Sequence, residues 1–127
     1  MNRASQPTTN SPITLINVFE VPTEHVEVVI AGWRERAALM STKPGFVDTR
    51  LHRALSPQTR FQLVNVAHWE SREAMEAATA DPEFQQRISA AIADPRVPIA
   101  ANPALYQVAV EFPGPAPDEH HRTPPAR

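Results

Sequence analysis

Hydrophobic spacing along residues 13–112 switches between a period of two and a period of 3.6, and the order of the switches limits the fold. Residues 13–20 alternate, with Ile13, Leu15, Asn17 and Phe19 on one face and Ile16 and Val18 on the other, which predicts a strand. Val26, Val29, Ile30, Trp33, Ala37 and Met40 then make one stripe. That predicts a helix over 24–42, with Thr23 as its N-cap and Pro44-Gly45 as its end. Residues 46–55 and 60–70 fit a hairpin around Ser56-Pro57-Gln58-Thr59. A second helix is expected from about residue 72, capped by Ser71 and restarted at Asp81-Pro82. Phe84, Ile88, Ala91 and Ile92 supply its apolar stripe. Pro95, Pro98 and Pro103 make 94–103 an expected loop, and 104–112 the last strand, with Tyr106, Val108, Val110 and Phe112 on the core side.

The order is β-α-β-β-α-β. It predicts an α+β, ferredoxin-like fold: a four-stranded antiparallel sheet with two helices on one face and the first and third strands in the middle. The helices cover only one face. Ile16, Val18, Val64 and Val66 make the other face of the central strands apolar too. A second copy stacked sheet to sheet is the simplest cover, so a homodimer is expected.

Proline marks the ends. Of 14 prolines, seven lie in residues 1–12 and 113–127, both polar and without apolar period, so these are expected to be disordered tails around one domain, 13–112. Twelve basic and 14 acidic side chains give a net charge of −2, which excludes a nucleic-acid binder working by phosphate neutralisation. With no cysteine there are no disulfides, thiolate nucleophiles or cysteine-held metals. No apolar run is long enough to span a membrane, and Met1–Pro7 has no signal-like apolar region. The expectation is a cytoplasmic protein without nucleic-acid or membrane partners. The core has two glycines, Gly32 and Gly45, so nucleotide-binding loops are missing; paired carboxylates and a nucleophile elbow are missing as well.

The informative residues are polar ones where apolar ones belong. Asn17 interrupts the odd face of the first strand, and Asn65 that of the third, which otherwise holds Phe61, Leu63, Ala67 and Trp69. Asparagine is disfavoured in strands. Adjacent strands put both amides on one wall, where they either pair structurally with each other or the backbone, or line a cavity beside Trp69. Tyr106, Trp33 and Phe61 are weaker candidates for contact with a ligand. His68 has the opposite parity and should face away from this wall. His52 is a strand residue, and His120-His121 lacks a third fixed ligand for a metal.

Pro44-Gly45-Phe46, the hairpin, and Asn65-Val66-Ala67-His68-Trp69-Glu70-Ser71 followed by a helix with Met75 and Phe84 resemble the antibiotic biosynthesis monooxygenase family. The resemblance spans nearly all of 13–112 and implies a dimeric α+β barrel. Asn-x-x-x-Trp on the third strand, with an Asn in mid first strand, is similar to the cofactor-independent anthrone oxygenases of aromatic polyketide pathways. That implies Asn17, Asn65 and Trp69 as site residues, no cofactor or metal, dioxygen as co-substrate and an aromatic small molecule as substrate. Haem-degrading relatives share the first-strand Asn, but their second-helix Trp and iron-ligand His fall on Ala78 and Ile88. The rival expectation is a binding protein, isomerase or cyclase on the same fold without redox activity.

Overall fold

A computed structural model describes residues 11–116. In chain order its elements are β1 (Ile13–Glu20), α1 (Val26–Met40), β2 (Phe46–Arg53), β3 (Leu63–Trp69), α2 (Arg72–Thr79), α3 (Pro82–Ala93) and β4 (Ala100–Tyr106), with a 3₁₀ turn, Thr23–His25, before α1. The sheet order is β2-β3-β1-β4, all neighbours antiparallel. This is the ferredoxin-like α+β architecture, with β1 and β3 central and the second helical segment divided in two. The division follows from Asp81-Pro82. Asp81 Oδ1 accepts from the N–H groups of Glu83 (2.8 Å) and Phe84 (3.3 Å), and Pro82 opens α3, where its missing N–H costs nothing. Ser71 Oγ caps α2 by accepting from Ala74 N–H at 3.0 Å.

The helix-facing side of the sheet carries two separate apolar clusters. One gathers Ile13, Met40, Ala67, Trp69 and Ala78. The other gathers Phe19, Val21, Val26, Val29 and Leu63. Between them runs a row across the strands, Leu51–Asn65–Asn17–Pro103, in cross-strand register. Gly45 closes the approach to β2. Its φ of +86° suits glycine, and a Cβ there would collide with Ala74.

Several expectations are corrected. Thr23 lies inside the 3₁₀ turn and makes no side-chain cap; no side chain caps α1. The last strand is Ala100–Tyr106 rather than 104–112, so most of the expected 94–103 loop contributes to β4 or leads into it. Pro103 is tolerated because β4 is an edge strand, and the Asn17 side chain takes up the neighbouring N–H of Asn102 (2.9 Å). The faces of this strand are reversed from expectation: Leu105, paired with Leu15, packs on the core, whereas Tyr106 pairs with Thr14 on the face away from the helices and is half exposed. Val108, Val110 and Phe112 follow β4 outside regular secondary structure and are exposed. Phe61 precedes β3 rather than joining it, and its ring lies under the Arg60 guanidinium, 4.9 Å from carbon to centroid. The tails, as far as they fall in 1–10 and 117–127, lie outside the described residues, as does His120-His121.

Candidate active site

Strand parity sets the floor of the site. Leu15, Asn17 and Phe19 of β1 and Asn65, Ala67 and Trp69 of β3 point to the same side, and a bulge at Val47 brings Phe46 and Thr49 of β2 onto it. Trp33, Arg36, Ala37 and Met40 of α1, Thr79 of α2, and Phe84 and Ile88 of α3 complete the lining. The pocket encloses about 130 Å³ and opens to solvent at its mouth, so it is smaller in the single chain than the roughly 300–1,000 Å³ usual for small-molecule sites.

Asn17 and Asn65 are directly opposite each other in the β1–β3 ladder, yet each amide is held by a different group. Asn17 Oδ1 accepts the backbone N–H of Asn102 at 2.9 Å, which fixes its oxygen, since a backbone N–H can only donate. Asn65 Oδ1 accepts the Thr49 hydroxyl at 2.5 Å. Neither Nδ2 has a hydrogen-bond partner among the described residues. No fully buried side-chain nitrogen or oxygen there lacks one, so both amide N–H₂ groups reach accessible space in the pocket. The same reasoning holds for the Trp69 indole N–H, although the residue is only 2% exposed. Phe46 packs edge-on against Trp69, with centroids 5.3 Å apart and an 85° interplanar angle, and so fixes the indole plane.

Three neutral donors therefore look into an apolar slot. Thr79 adds none, because its hydroxyl donates to Met75 C=O at 3.0 Å. Arg36 is the one charged residue lining the pocket among the described residues. Burial pushes its guanidinium below its ordinary pKa, against the opposing pull of Glu35. Among the described residues no Asp, Glu, His, Lys or Tyr lines the pocket. The arrangement can bind a flat apolar molecule and stabilise negative charge on its oxygens; it offers no side chain that shuttles protons near neutral pH.

Of the residues expected from sequence, Asn17, Asn65, Trp69 and Trp33 come together here. Tyr106 and Phe61 do not, for the reasons of register given above. His68 faces the opposite side, its Nδ1 2.6 Å from Asp48 Oδ1, and His52 Nδ1 is 3.3 Å from Val64 C=O. Arg36 and Thr49 were not singled out in the sequence. Arg36 lies three residues after Trp33 and four before Met40, on the edge of the apolar stripe, which is the signal that could have found it. Ile88 is a lining residue and Ala78 is buried, so neither position offers a haem ligand. Among the described residues no group of three or more His, Cys, Asp or Glu is placed to hold a metal, and no helix is long and apolar enough to cross a membrane.

Solved structures share this fold. A monooxygenase candidate from Shewanella loihica PV-4 is 33% identical, with 80% of this chain and 97% of that one covered and a TM-score of 0.64. SnoaB, a cofactor-independent oxygenase from Streptomyces nogalater, is 24% identical, with 82% and 99% covered and a TM-score of 0.65. A candidate antibiotic biosynthesis monooxygenase from Deinococcus radiodurans is 17% identical over 80% and 99%, with a TM-score of 0.65. Among curated proteins no sequence matches the chain. The family model for antibiotic biosynthesis monooxygenases matches residues 12–89, from the start of β1 into α3 and over the strands that carry both asparagines and Trp69, and the chain belongs to that family.

Proposed function

We propose that the protein is a cofactor-independent monooxygenase that converts an anthrone- or hydroquinone-type aromatic polyketide to a quinone with O₂, acting as a cytoplasmic homodimer. The observation that carries this reading is the pair of cross-strand amides whose oxygens are tied down and whose N–H₂ groups are open to an apolar pocket. Amides held in this way are pre-oriented donors for an oxygen that gains charge, and they do not become charged themselves.

The chemistry needs little more. An anthrone bound with its oxygen near Asn17 and Asn65 loses its benzylic proton more readily, because the resulting enolate is stabilised. The proton leaves to water at the pocket mouth. The enolate gives one electron to O₂, and the radical pair combines to a carbon–oxygen bond, forming a peroxide that takes up a proton. Cleavage of the O–O bond with loss of the second benzylic hydrogen then releases water and leaves the new carbonyl. One O₂ is consumed and one H₂O formed per quinone. Trp69 and Phe46 border the ring system, and the apolar lining limits access of bulk water. An isomerase or cyclase on this scaffold would also have to pass protons through water, since among the described residues no Asp, Glu, His, Lys or Tyr lines the pocket.

Oxygen uptake by metal-depleted protein with dithranol tests the reading. The expected result is one O₂ per quinone at a rate far above the spontaneous oxidation. Uptake no faster than buffer alone would leave a binding protein as the better account.

A further inference from the structure

Arg36 makes no direct ion pair: Glu35 pulls on it only at a distance, and the carboxylates near it are engaged elsewhere. Glu35, the preceding residue, has its Oε1 3.6 Å from Arg87 Nη1. Asp94, which lines a smaller cavity together with Arg36, is held in a fork by Arg96, with Nε 3.0 Å from Oδ1 and Nη2 3.1 Å from Oδ2. No hydrogen bond or ion pair connects Arg36 to any described residue. The guanidinium is nevertheless partly buried, where a lone cation is unfavourable. Its Nη1 lies beside Gly32, one turn earlier on α1, at what would be an ordinary contact distance of 3.4 Å from a Cβ there.

We propose that Arg36 is the recognition group for a carboxylate carried by the aromatic ligand, so that the pocket takes aromatic acids in preference to their neutral counterparts. The inference rests on the pocket being the substrate site, but not on oxygenation. The roles divide by position. Asn17, Asn65 and Trp69 on the sheet meet the reacting ring oxygen, and Arg36 on the helical roof meets a group that is charged before and after reaction. A fixed cation is matched best by a fixed anion, and a planar guanidinium pairs with a carboxylate through two parallel hydrogen bonds.

The two tryptophans of the chain, Trp33 and Trp69, both line this pocket, so quenching of intrinsic fluorescence reports binding there. Full-length protein is titrated with anthraquinone-2-carboxylate and with anthraquinone-2-carboxamide. The wild type is expected to bind the carboxylate roughly tenfold or more tightly, the scale of one charge-assisted pair. In Arg36→Met that advantage should collapse to within about twofold, and Arg36→Lys should restore part of it, as a point charge without the fork. Thermal melts establish that the variants fold, with Arg36→Gln replacing Arg36→Met if the latter does not. Equal affinity of the two quinones for the wild type, a preference that survives Arg36→Met, or no quenching by either overturns the proposal. Dithranol carries no carboxylate, so its oxidation reports the oxygenase reading separately. Charge discrimination without oxygen uptake would sink only that reading. Oxygen uptake without discrimination would sink only the role of Arg36.

Discussion

The two faces of the sheet are built from the same strands and obey opposite logic. The face under the helices is apolar at its ends and polar in the middle, where Asn17 and Asn65 separate two hydrophobic clusters. The face away from the helices is apolar in the middle, at Ile16, Val18, Val64 and Val66, and polar around it, with Asp48, Arg50, His52 and His68 along β2 and β3 and Asn102 on β4. A polar pair inside a covered face, with its oxygens held and its N–H₂ groups without a partner among the described residues, is what the proposed binding role rests on. An apolar patch inside an uncovered face marks a place where another surface is expected to sit. On the proposed reading chemistry belongs to one side of β1 and β3 and association to the other, and substitutions one residue apart should separate the two.

The largest effect is expected at Asn65. Asn65→Leu removes an N–H₂ donor from the pocket, and turnover of dithranol should fall by about 10²–10³, the usual loss for one oxyanion donor. The cost to folding should be modest, about 1 kcal/mol or less, because the half-buried Thr49 hydroxyl that loses its acceptor can turn to cavity water. Rate and melting temperature, measured on one sample, give the answer. A variant that fails to fold, or one that oxidises dithranol at the wild-type rate, would return Asn65 to a structural role.

Its neighbour Val66 should respond in the opposite way. Val66 lies on the uncovered face, opposite Ile16 and Arg50. Val66→Lys adds a charge that a symmetric sheet-to-sheet contact would have to bury twice. Sedimentation at micromolar concentration should give twice the 14.1 kDa chain mass for the wild type and the single-chain mass for the variant. A wild type that stays monomeric at every concentration refutes the dimer. A folded Val66→Lys dimer places the contact elsewhere, with the exposed Val108, Val110 and Phe112 as the next surface to examine.

Trp69→Phe is a smaller perturbation of the covered face. A phenyl ring keeps an apolar border beside Phe46 but loses the indole N–H and some volume. Turnover should drop about 10–30-fold, roughly half of a donor loss on a logarithmic scale, and stability by about 1–2 kcal/mol for a partial large-to-small change at a 2%-exposed position. A rate loss equal to that of Asn65→Leu would make the indole N–H a principal donor.

Much of this contrast is legible from parity alone. Period-two spacing fixes which side of β1 and β3 each residue takes, so Asn17, Asn65, Trp69 and His68 are placed without coordinates. Parity fails where the strand boundary is uncertain. Proline normally ends a strand, so Pro103 argued for a start at 104; edge position makes it harmless, β4 begins at Ala100, and Tyr106 pairs with Thr14 on the uncovered face. It also fails at bulges. The irregularity at Val47 shifts β2 by one residue between Phe46 and Asp48, which hides Thr49 as a partner of Asn65. Arg36 was overlooked for a different reason: charge on a helix is normally solvated, and only the tertiary fold reveals that its neighbours have other partners.

The smallest expected effect concerns the roof of the covered face. Lys43 Nζ, in the turn after α1, meets Asp81 Oδ2 at 2.5 Å, linking α1 to the α2–α3 junction above the pocket. On the uncovered face the comparable contact, His68 Nδ1 to Asp48 Oδ1 at 2.6 Å, joins neighbouring strands rather than helical segments. The Lys43 hydrogen bond holds the Asp81 carboxyl below its ordinary pKa, with further support from the N–H groups of Phe84 and Glu83. A carboxylate whose folded pKa is depressed contributes stability that is fully present above its unfolded value, about 3.9, and disappears as pH falls through the lower folded value. Between about pH 5 and pH 3, the melting temperature of the wild type should therefore fall more steeply than that of Asp81→Asn, which keeps a helix cap but cannot titrate. Because Trp33 and Trp69 both lie under this roof, their fluorescence should change in the same acid range, before any change in sedimenting mass attributable to the other face. Parallel acid slopes for wild type and Asp81→Asn would show that the clamp adds nothing, and a mass change that precedes the fluorescence change would show that the uncovered face is the more acid-sensitive of the two.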